Sequence, residues 1–201
     1  HLGDWFSGIE NYPNGGVVRT FSRKKLEKIF DACGVGERSF YYPYPDYKFM
    51  TTVYSDAYLP GRGELSNNLR NFDRDRMLLF DEKSAFDGIV EEGLFSVFSN
   101  SYMAIIGKPL ELKYARYSND RAEEFRIRTE ILRDEKGQPT VRKYPLTTEA
   151  EAHVRHMAEA YEKLRKRYAG SRLDVNVCHL CEEEGAIYAE FEFVPGRPLS
   201  E

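Results

Sequence analysis

The chain has 201 residues, of which 41% are hydrophobic and 14% aromatic, and its formal net charge is −4. This composition is ordinary for a globular protein and excludes a disordered tail, a collagen-like repeat and a coiled-coil rod. Acidic residues outnumber basic ones in both halves, so no broad surface for nucleic acid is expected. Three cysteines, no signal-peptide pattern and no long apolar stretch lead us to expect a cytoplasmic protein without a membrane span.

The two ends of the sequence predict a piece of a longer protein. The chain begins at His1 rather than at Met, and it stops soon after a strongly apolar strand pattern. Natural domains usually taper into polar residues at their ends. We therefore expect a fragment of a larger enzyme, with the missing remainder of the same polypeptide as a partner.

The start of the chain predicts a loop, a helix and a strand. Residues 1–20 are rich in glycine and turn-forming residues. A helix should begin after Ser22 and end at Gly34. Its apolar stripe comprises Leu26, Ile29, Phe30 and Cys33. Residues 39–42 have a strand pattern, and the prolines beyond it indicate an edge or an irregular exit.

Residues 50–107 predict an irregular stretch, a short helix and a buried strand. Periodicity is weak over 50–80, whereas 80–92 has the spacing of a helix that Gly93 closes. Residues 95–107 form the best strand pattern of the first half. The apolar run 103–106 predicts that this strand is buried on both faces.

The second half predicts an antiparallel sheet with one long packed helix. Five strands are expected, over 113–117, 124–132, 140–144, 173–180 and 186–194. In the second of these, apolar side chains alternate with charged ones, which predicts one buried and one wet face. The helix is expected over 148–168, with Thr148 and Glu151 as a capping box. It should pack through Val154, Met157, Tyr161 and Leu164.

Three stretches of the first half resemble a known enzyme family. They are residues 20–28 (TFSRKKLEK), 41–48 (YYPYPDYK) and 98–102 (FSNSY). They resemble the C-terminal part of bacterial class I methyltransferases, which use S-adenosylmethionine, and in particular those of surface-polysaccharide biosynthesis. The resemblance covers about residues 1–108 and implies the closing part of a methyltransferase-like sheet, whose last strand inserts antiparallel beside its neighbour.

The resemblance also implies where the cofactor would bind. These enzymes hold S-adenosylmethionine on a glycine-rich turn after their first strand, and an acidic residue binds its ribose. Here Gly34 and Gly36 follow a helix instead, so we interpret them as its cap. We expect no cofactor in this fragment, S-adenosylmethionine in the parent protein, and no methyl transfer by the fragment alone.

The tyrosine- and proline-rich run offers candidate substrate-binding residues. The rings of Tyr44 and Tyr47 are able to stack on a sugar or a base, and Asp46 is able to accept hydrogen bonds from hydroxyl groups. The alternative is a rigid, aromatic-packed strand exit that completes the core. No catalytic residue is identified.

Residues 111–201 resemble the small lobe of a protein-kinase-like fold in the order of their elements. In that comparison 140–143 is the third strand, where Val141 and Lys143 point to the same side and Lys143 contacts the nucleotide. No glycine-rich loop is present at 118–121, and Glu159 points away from the apolar stripe. The alternative for Lys143 is a solvated strand lysine.

A metal site is not expected at the remaining cysteines. Cys178 and Cys181 lie three residues apart in a predicted strand, so their side chains point to opposite faces. No second cysteine pair completes four ligands. His153 and His156 have no Asp or Cys pattern beside them and fit a solvated helix flank.

Together these patterns predict an α+β chain of two incomplete domains, residues 1–108 and 109–201. The favoured function is that of a bacterial methyltransferase fragment, acting on a sugar or surface-polysaccharide precursor and fused to a kinase-like module. The alternative is a non-catalytic carbohydrate- or nucleotide-binding module. Both predict a sugar or nucleotide-linked small molecule as the ligand.

Overall fold

The computed structural model describes residues 21–48, 50–65, 82–183 and 185–196. The loop expected over residues 1–20 lies outside them. In chain order the described elements are α1 (Arg23–Ala32), β1 (Arg38–Tyr44), β2 (Thr52–Ser55), α2 (Glu82–Glu91), α3 (Phe95–Phe98), β3 (Met103–Ile106), β4 (Leu112–Tyr117), β5 (Ile127–Arg133), β6 (Pro139–Pro145), α4 (Glu151–Tyr168), β7 (Cys178–Glu183) and β8 (Ala186–Glu192).

The chain divides into two compact units. The first comprises residues 1–49 and 59–109, and the second comprises residues 50–58 and 110–201. Strand β2 therefore belongs to the second unit, although it comes early in the sequence.

Helix α1 of the first unit begins and ends where the sequence predicts. The Ser22 hydroxyl accepts a hydrogen bond from the backbone N–H of Lys25, which satisfies one of the free donors of the first turn. At the other end Gly34 takes a positive φ of 71°, and the N–H of Val35 donates to the carbonyl of Phe30. The expected apolar stripe is only partly covered, because Ile29 and Cys33 are exposed.

The core of the first unit is built from aromatic side chains. Strand β1 pairs antiparallel with β3, with Arg38 opposite Ile106 and Tyr41 opposite Met103. Tyr42 is fully buried, and its ring meets Phe95 edge-on at 5.8 Å. Arg23 of α1 donates a hydrogen bond to the Tyr42 hydroxyl, which ties the helix to this core.

The strand expected over 95–107 is wrong in its first part. Residues 95–98 form helix α3, and the strand is confined to β3. Between them, Ser99 donates to the carbonyl of Ser101 and interrupts the extended backbone. The expected burial of 103–106 on both faces is also wrong, since Ile106 is 61% exposed and β3 lies at a sheet edge.

The second unit contains an antiparallel sheet in the order β2-β4-β5-β6-β8-β7. Strand β2 lies in the stretch that lacked periodicity, and its four residues are all buried. The expected strand 124–132 begins only at Ile127, because residues 123–125 form a 3₁₀ turn that leaves Phe125 46% exposed. The strand expected from residue 173 begins at Cys178.

Helix α4 packs on one face of this sheet. Val154 is fully buried with Ile127, Ala189 and Phe191, and Met157 and Tyr161 pack against that cluster. Leu164, expected in the same stripe, is exposed. The predicted capping box is wrong, because the Thr147 hydroxyl rather than Thr148 accepts from the first turn, at the N–H of Ala150.

A pair of substitutions in α4 tests this packing. Met157→Ala should lower the free energy of unfolding by about 2 kcal/mol, since it removes a side chain packed against the core cluster. Glu159 is exposed on the same helix, so Glu159→Ala should change it by no more than about 0.5 kcal/mol. Urea unfolding of both variants measures the difference, and a larger loss for Glu159→Ala would mean that the helix is rotated.

The α+β class, the antiparallel sheet and the long packed helix are confirmed. Among the described helices, none combines the length and the apolar character needed to cross a bilayer.

Candidate functional site

The three substrate-binding candidates of the first unit lie in different environments. Tyr44 is buried, its hydroxyl donates to the carbonyl of Leu65 at 2.8 Å, and burial raises its pKa to about 12. Asp46 accepts from the backbone N–H of Lys48 at 2.7 Å, as in a local turn. Tyr47 alone of the three presents its ring to solvent, being 68% exposed.

Lys143 and Val141 lie on the same side of β6, the side that α4 covers. Val141 packs against the core cluster, and the Nζ of Lys143 lies 5.2 Å from the ring centroid of Phe191. Lys143 is therefore not a solvated strand lysine. Within the described residues no ion pair of Lys143 is present, and the helix residue Glu162 is paired with Lys166. The nucleotide contact of Lys143 stays a prediction.

The cysteines of β7 diverge as the strand geometry requires. Cys178 packs against the core cluster under α4, whereas Cys181 faces the other side, where it is paired with Tyr188 of β8. Within the described residues no group of three or more metal-ligating side chains is present.

The turn at Gly34 ends a helix and differs from the glycine-rich cofactor turn of the methyltransferases. The N–H of Gly34 donates to the carbonyl of Asp31, and the N–H of Val35 donates to Phe30. Both groups are therefore used to end α1 and do not face a ligand. In the described residues this segment follows a helix, so its backbone does not provide the turn that the family uses.

A polar network covers the face of the second-unit sheet opposite α4. Glu130 of β5, Arg142 of β6 and Glu190 of β8 lie in one row across the three strands. Arg142 Nε donates to Glu190 at 2.8 Å. Burial acts to lower the pKa of Arg142, but hydrogen bonds with Tyr144 and Glu190 raise it overall. The guanidinium is thus held charged in a fixed position.

Two tyrosines follow in the next row of the same face. The rings of Tyr144 and Tyr188 lie 5.0 Å apart at an angle of 37°. Arg128 lies 4.7 Å above the first ring, and Arg142 lies 4.7 Å above the second. Each guanidinium stacks on an aromatic face and so fixes the orientation of that ring.

These tyrosines line an open groove of about 630 Å³, bounded by Tyr144, Glu183, Ala186 and Tyr188. We refer to it as the tyrosine groove. Burial raises the pKa of Tyr188, and a hydrogen bond with Glu183 acts in the same direction. The groove thus places the half-buried ring of Tyr144 near the Glu183 carboxylate, which accepts the hydrogen bond of the buried Tyr188 hydroxyl group.

Comparison of the chain with protein-family models, curated proteins and solved structures gives no match. The methyltransferase-like and kinase-like resemblances therefore stay predictions.

Only a general sign of the tyrosine groove is present in the sequence. Alternation in β5 predicts a wet face that carries Arg128 and Glu130. The same alternation places Arg142 with Tyr144, and Tyr188 with Glu190, on one face of their strands. The alternation within each strand thus shows which of its residues share a face. The rows across the strands can be predicted only when the register between the strands is known.

Glu130 predicts a pH dependence of stability. Burial raises the pKa of its carboxyl group, and the charges of Arg128 and Arg142 oppose that shift. Because the folded chain holds this proton more tightly than the unfolded chain, Glu130 adds stability as the pH falls from its raised pKa through the ordinary value of 4.5. Glu130→Gln should remove that contribution. The free energy of unfolding of the wild-type chain should therefore increase relative to that of the variant as the pH falls from neutral to about 4.

Urea unfolding of both chains across this pH range measures the effect. Glu159→Gln, on the exposed face of α4, controls for the loss of one carboxyl group. A difference that stays constant with pH, or a wild-type chain that loses stability relative to Glu130→Gln on acidification, would contradict the prediction.

Proposed function

We propose that the second unit is a non-catalytic carbohydrate-binding module, and that the tyrosine groove takes the sugar. The observation that carries the proposal is the half-buried ring of Tyr144, which packs against the buried ring of Tyr188 and lies beside the Glu183 carboxylate. Aromatic rings offer flat apolar faces to the C–H groups of a sugar, and a carboxylate accepts from its hydroxyl groups. The volume of the groove lies in the range of small-molecule sites.

The charges around the groove favour a neutral sugar over a nucleotide. Arg128 lies 2.7 Å from Glu130, and Arg142 lies 2.8 Å from Glu190, so each guanidinium is already compensated. Among the described residues that line the groove, the remaining charge is the carboxylate of Glu183. A phosphate would meet this carboxylate without a free cation, whereas a hydroxyl donor would find an acceptor.

Binding is tested by NMR on the isotope-labelled chain with millimolar methyl α-glucoside, methyl β-galactoside and N-acetylglucosamine. We expect amide shift changes around Tyr144 and Tyr188 for at least one sugar, and their loss in Tyr144→Ala. Tyr47→Ala is the matched control, since it removes an exposed ring from the first unit. Absence of shifts with every sugar, or shifts that persist in Tyr144→Ala, would reject the proposal.

A second candidate applies to a longer protein that contains this chain. The antiparallel pairing of β1 with β3 favours a methyltransferase-like sheet, because its last strand inserts antiparallel. The proposal includes a cytoplasmic location, S-adenosylmethionine in the parent protein, and a sugar or surface-polysaccharide precursor as acceptor. Methyl transfer from labelled S-adenosylmethionine to sugar nucleotides, measured on the longer polypeptide, tests it. No transfer to any acceptor would count against it.

A further inference from the structure

Strand β7 leaves one edge of the second-unit sheet open. It pairs with β8 on one side, and no described strand lies on its other side. Its six residues contain neither proline nor lysine, the residues that often block an edge strand. Four of the six are exposed: His179, Leu180, Glu182 and Glu183. An open edge of this kind is a template for pairing with a further strand.

The hairpin determines which backbone groups point to the open edge. Only two residues separate Glu183 of β7 from its partner Ala186 of β8, so these two form a hydrogen-bonded pair. Hydrogen-bonded and non-hydrogen-bonded pairs alternate along antiparallel strands. The backbone groups of Cys181 therefore point to β8, whereas those of Leu180 and Glu182 point outward, where a further strand is able to pair with them.

The charges of β7 complement each other around Cys181. His179 precedes Cys181 by two residues and Glu183 follows it by two, so all three lie on one face of the strand. When two copies of β7 pair antiparallel with Cys181 opposite Cys181, His179 of each copy lies opposite Glu183 of the other. On the other face, Glu182 is already compensated by Arg155 at 2.7 Å.

The neighbouring registers lack this match. With Leu180 opposite Leu180, His179 lies opposite Cys181, and neither carboxylate of the strand meets a basic residue of the second copy. With Glu182 opposite Glu182, two like charges face each other, which destabilises a strand pair. Among these three registers, the one centred on Cys181 alone gives each carboxylate of β7 a basic partner.

We propose that the chain forms a two-fold symmetric dimer through β7, with Cys181 at the symmetry axis. The outward backbone groups of Leu180 and Glu182 bond across the interface and join the two sheets. Two-fold symmetry makes each contact occur twice. Because Glu183 also borders the tyrosine groove, His179 of the second copy lies beside that groove. The dimer does not depend on the proposed carbohydrate binding.

Oxidative cross-linking of the whole chain tests the register. Cys33 is exposed and is replaced by Ser in every sample. Opposite residues of a non-hydrogen-bonded pair have Cα atoms about 4.5 Å apart, within the range of about 4.4–6.8 Å that a disulfide spans. Copper phenanthroline should therefore give a dimer on non-reducing electrophoresis, and Cys181→Ser should abolish it. Cys178→Ser is the matched control, since it removes a thiol from the other face of β7 and should leave the cross-link intact.

Sedimentation equilibrium of the unoxidised chain tests the charge match. The weight-average mass of wild type should rise towards twice that of the chain as the concentration increases. His179→Glu and Glu183→Lys each place like charges opposite each other at two symmetric positions, so each should weaken association about tenfold or more. The double variant with both changes restores opposite charges and should recover association.

The outcomes of the two experiments decide the proposal. Wild-type protein that stays monomeric at every concentration would overturn it. Cross-linking that persists in Cys181→Ser, or a double variant that associates as weakly as the single variants, would overturn it as well, because either result requires a different contact. No sugar is present in either experiment, so the outcome is independent of whether the tyrosine groove binds one.

Discussion

Phe191→Ala should lower the free energy of unfolding by about 3–5 kcal/mol, as expected for deletion of a large buried ring. Phe191 is buried on the face of β8 that α4 covers, where it belongs to the core cluster with Val154. The ring of Tyr161 meets it edge-on at 5.0 Å. Urea unfolding followed by circular dichroism measures the loss.

Phe125→Ala is the matched control, because the same side chain is deleted from an exposed position in the same unit. Its ring contacts His153, so a loss of about 1 kcal/mol or less is expected. Equal losses for the two variants would contradict the packing of α4 on β8. A larger loss for Phe125→Ala than for Phe191→Ala would mean that Phe125, and not Phe191, is the buried ring of this unit.

Local periodicity was sufficient to predict much of the second unit. The stripe of α4 repeats at the helical period, and Val154 and Met157 lie in the core as that period requires. In β8, Ala189 and Phe191 face the helix and alternate with the acidic residues Glu190 and Glu192. Each of these patterns is contained within a single element, so no knowledge of its partners is needed.

Elements that depend on distant partners were not predictable in the same way. Residues 52–55 show no useful alternation because all four are buried, and they form a strand only by pairing with β4. Residues 95–98 are apolar enough for a strand, yet they form a single helical turn that buries Phe95. In both cases tertiary packing overrides the local preference.

The candidate sites show the same dependence on contacts remote in sequence. Tyr44 is a plausible ligand-binding ring in the sequence, but its hydroxyl donates to the carbonyl of Leu65, and its buried ring contacts Phe86 and Phe95. The tyrosine groove requires the register of β6 with β8, which sets Arg142 opposite Glu190. A sequence pattern gives the face on which a residue lies, whereas the register between strands gives its neighbours.

Strand β8 is buried on both faces. A substitution of Tyr188 tests the packing on the face opposite α4. This residue is 2% exposed, and it lies under Arg142 and against the ring of Tyr144. Tyr188→Ala would remove the ring from the network and leave the guanidinium of Arg142 without its aromatic face. The free energy of unfolding should therefore fall by about 3–5 kcal/mol, close to the loss expected for Phe191→Ala.

Tyr188→Phe separates the contribution of the ring from that of the hydroxyl group. The ring remains stacked with Arg142, while the hydrogen bond with Glu183 is lost, so a reduction of about 0.5–1.5 kcal/mol is expected. Urea unfolding of Tyr188→Ala and Tyr188→Phe under the same conditions gives both values. If the two losses were equal, the hydroxyl group rather than the ring would hold the network. If both were negligible, the face opposite α4 would not be the ordered aromatic surface that sugar binding requires.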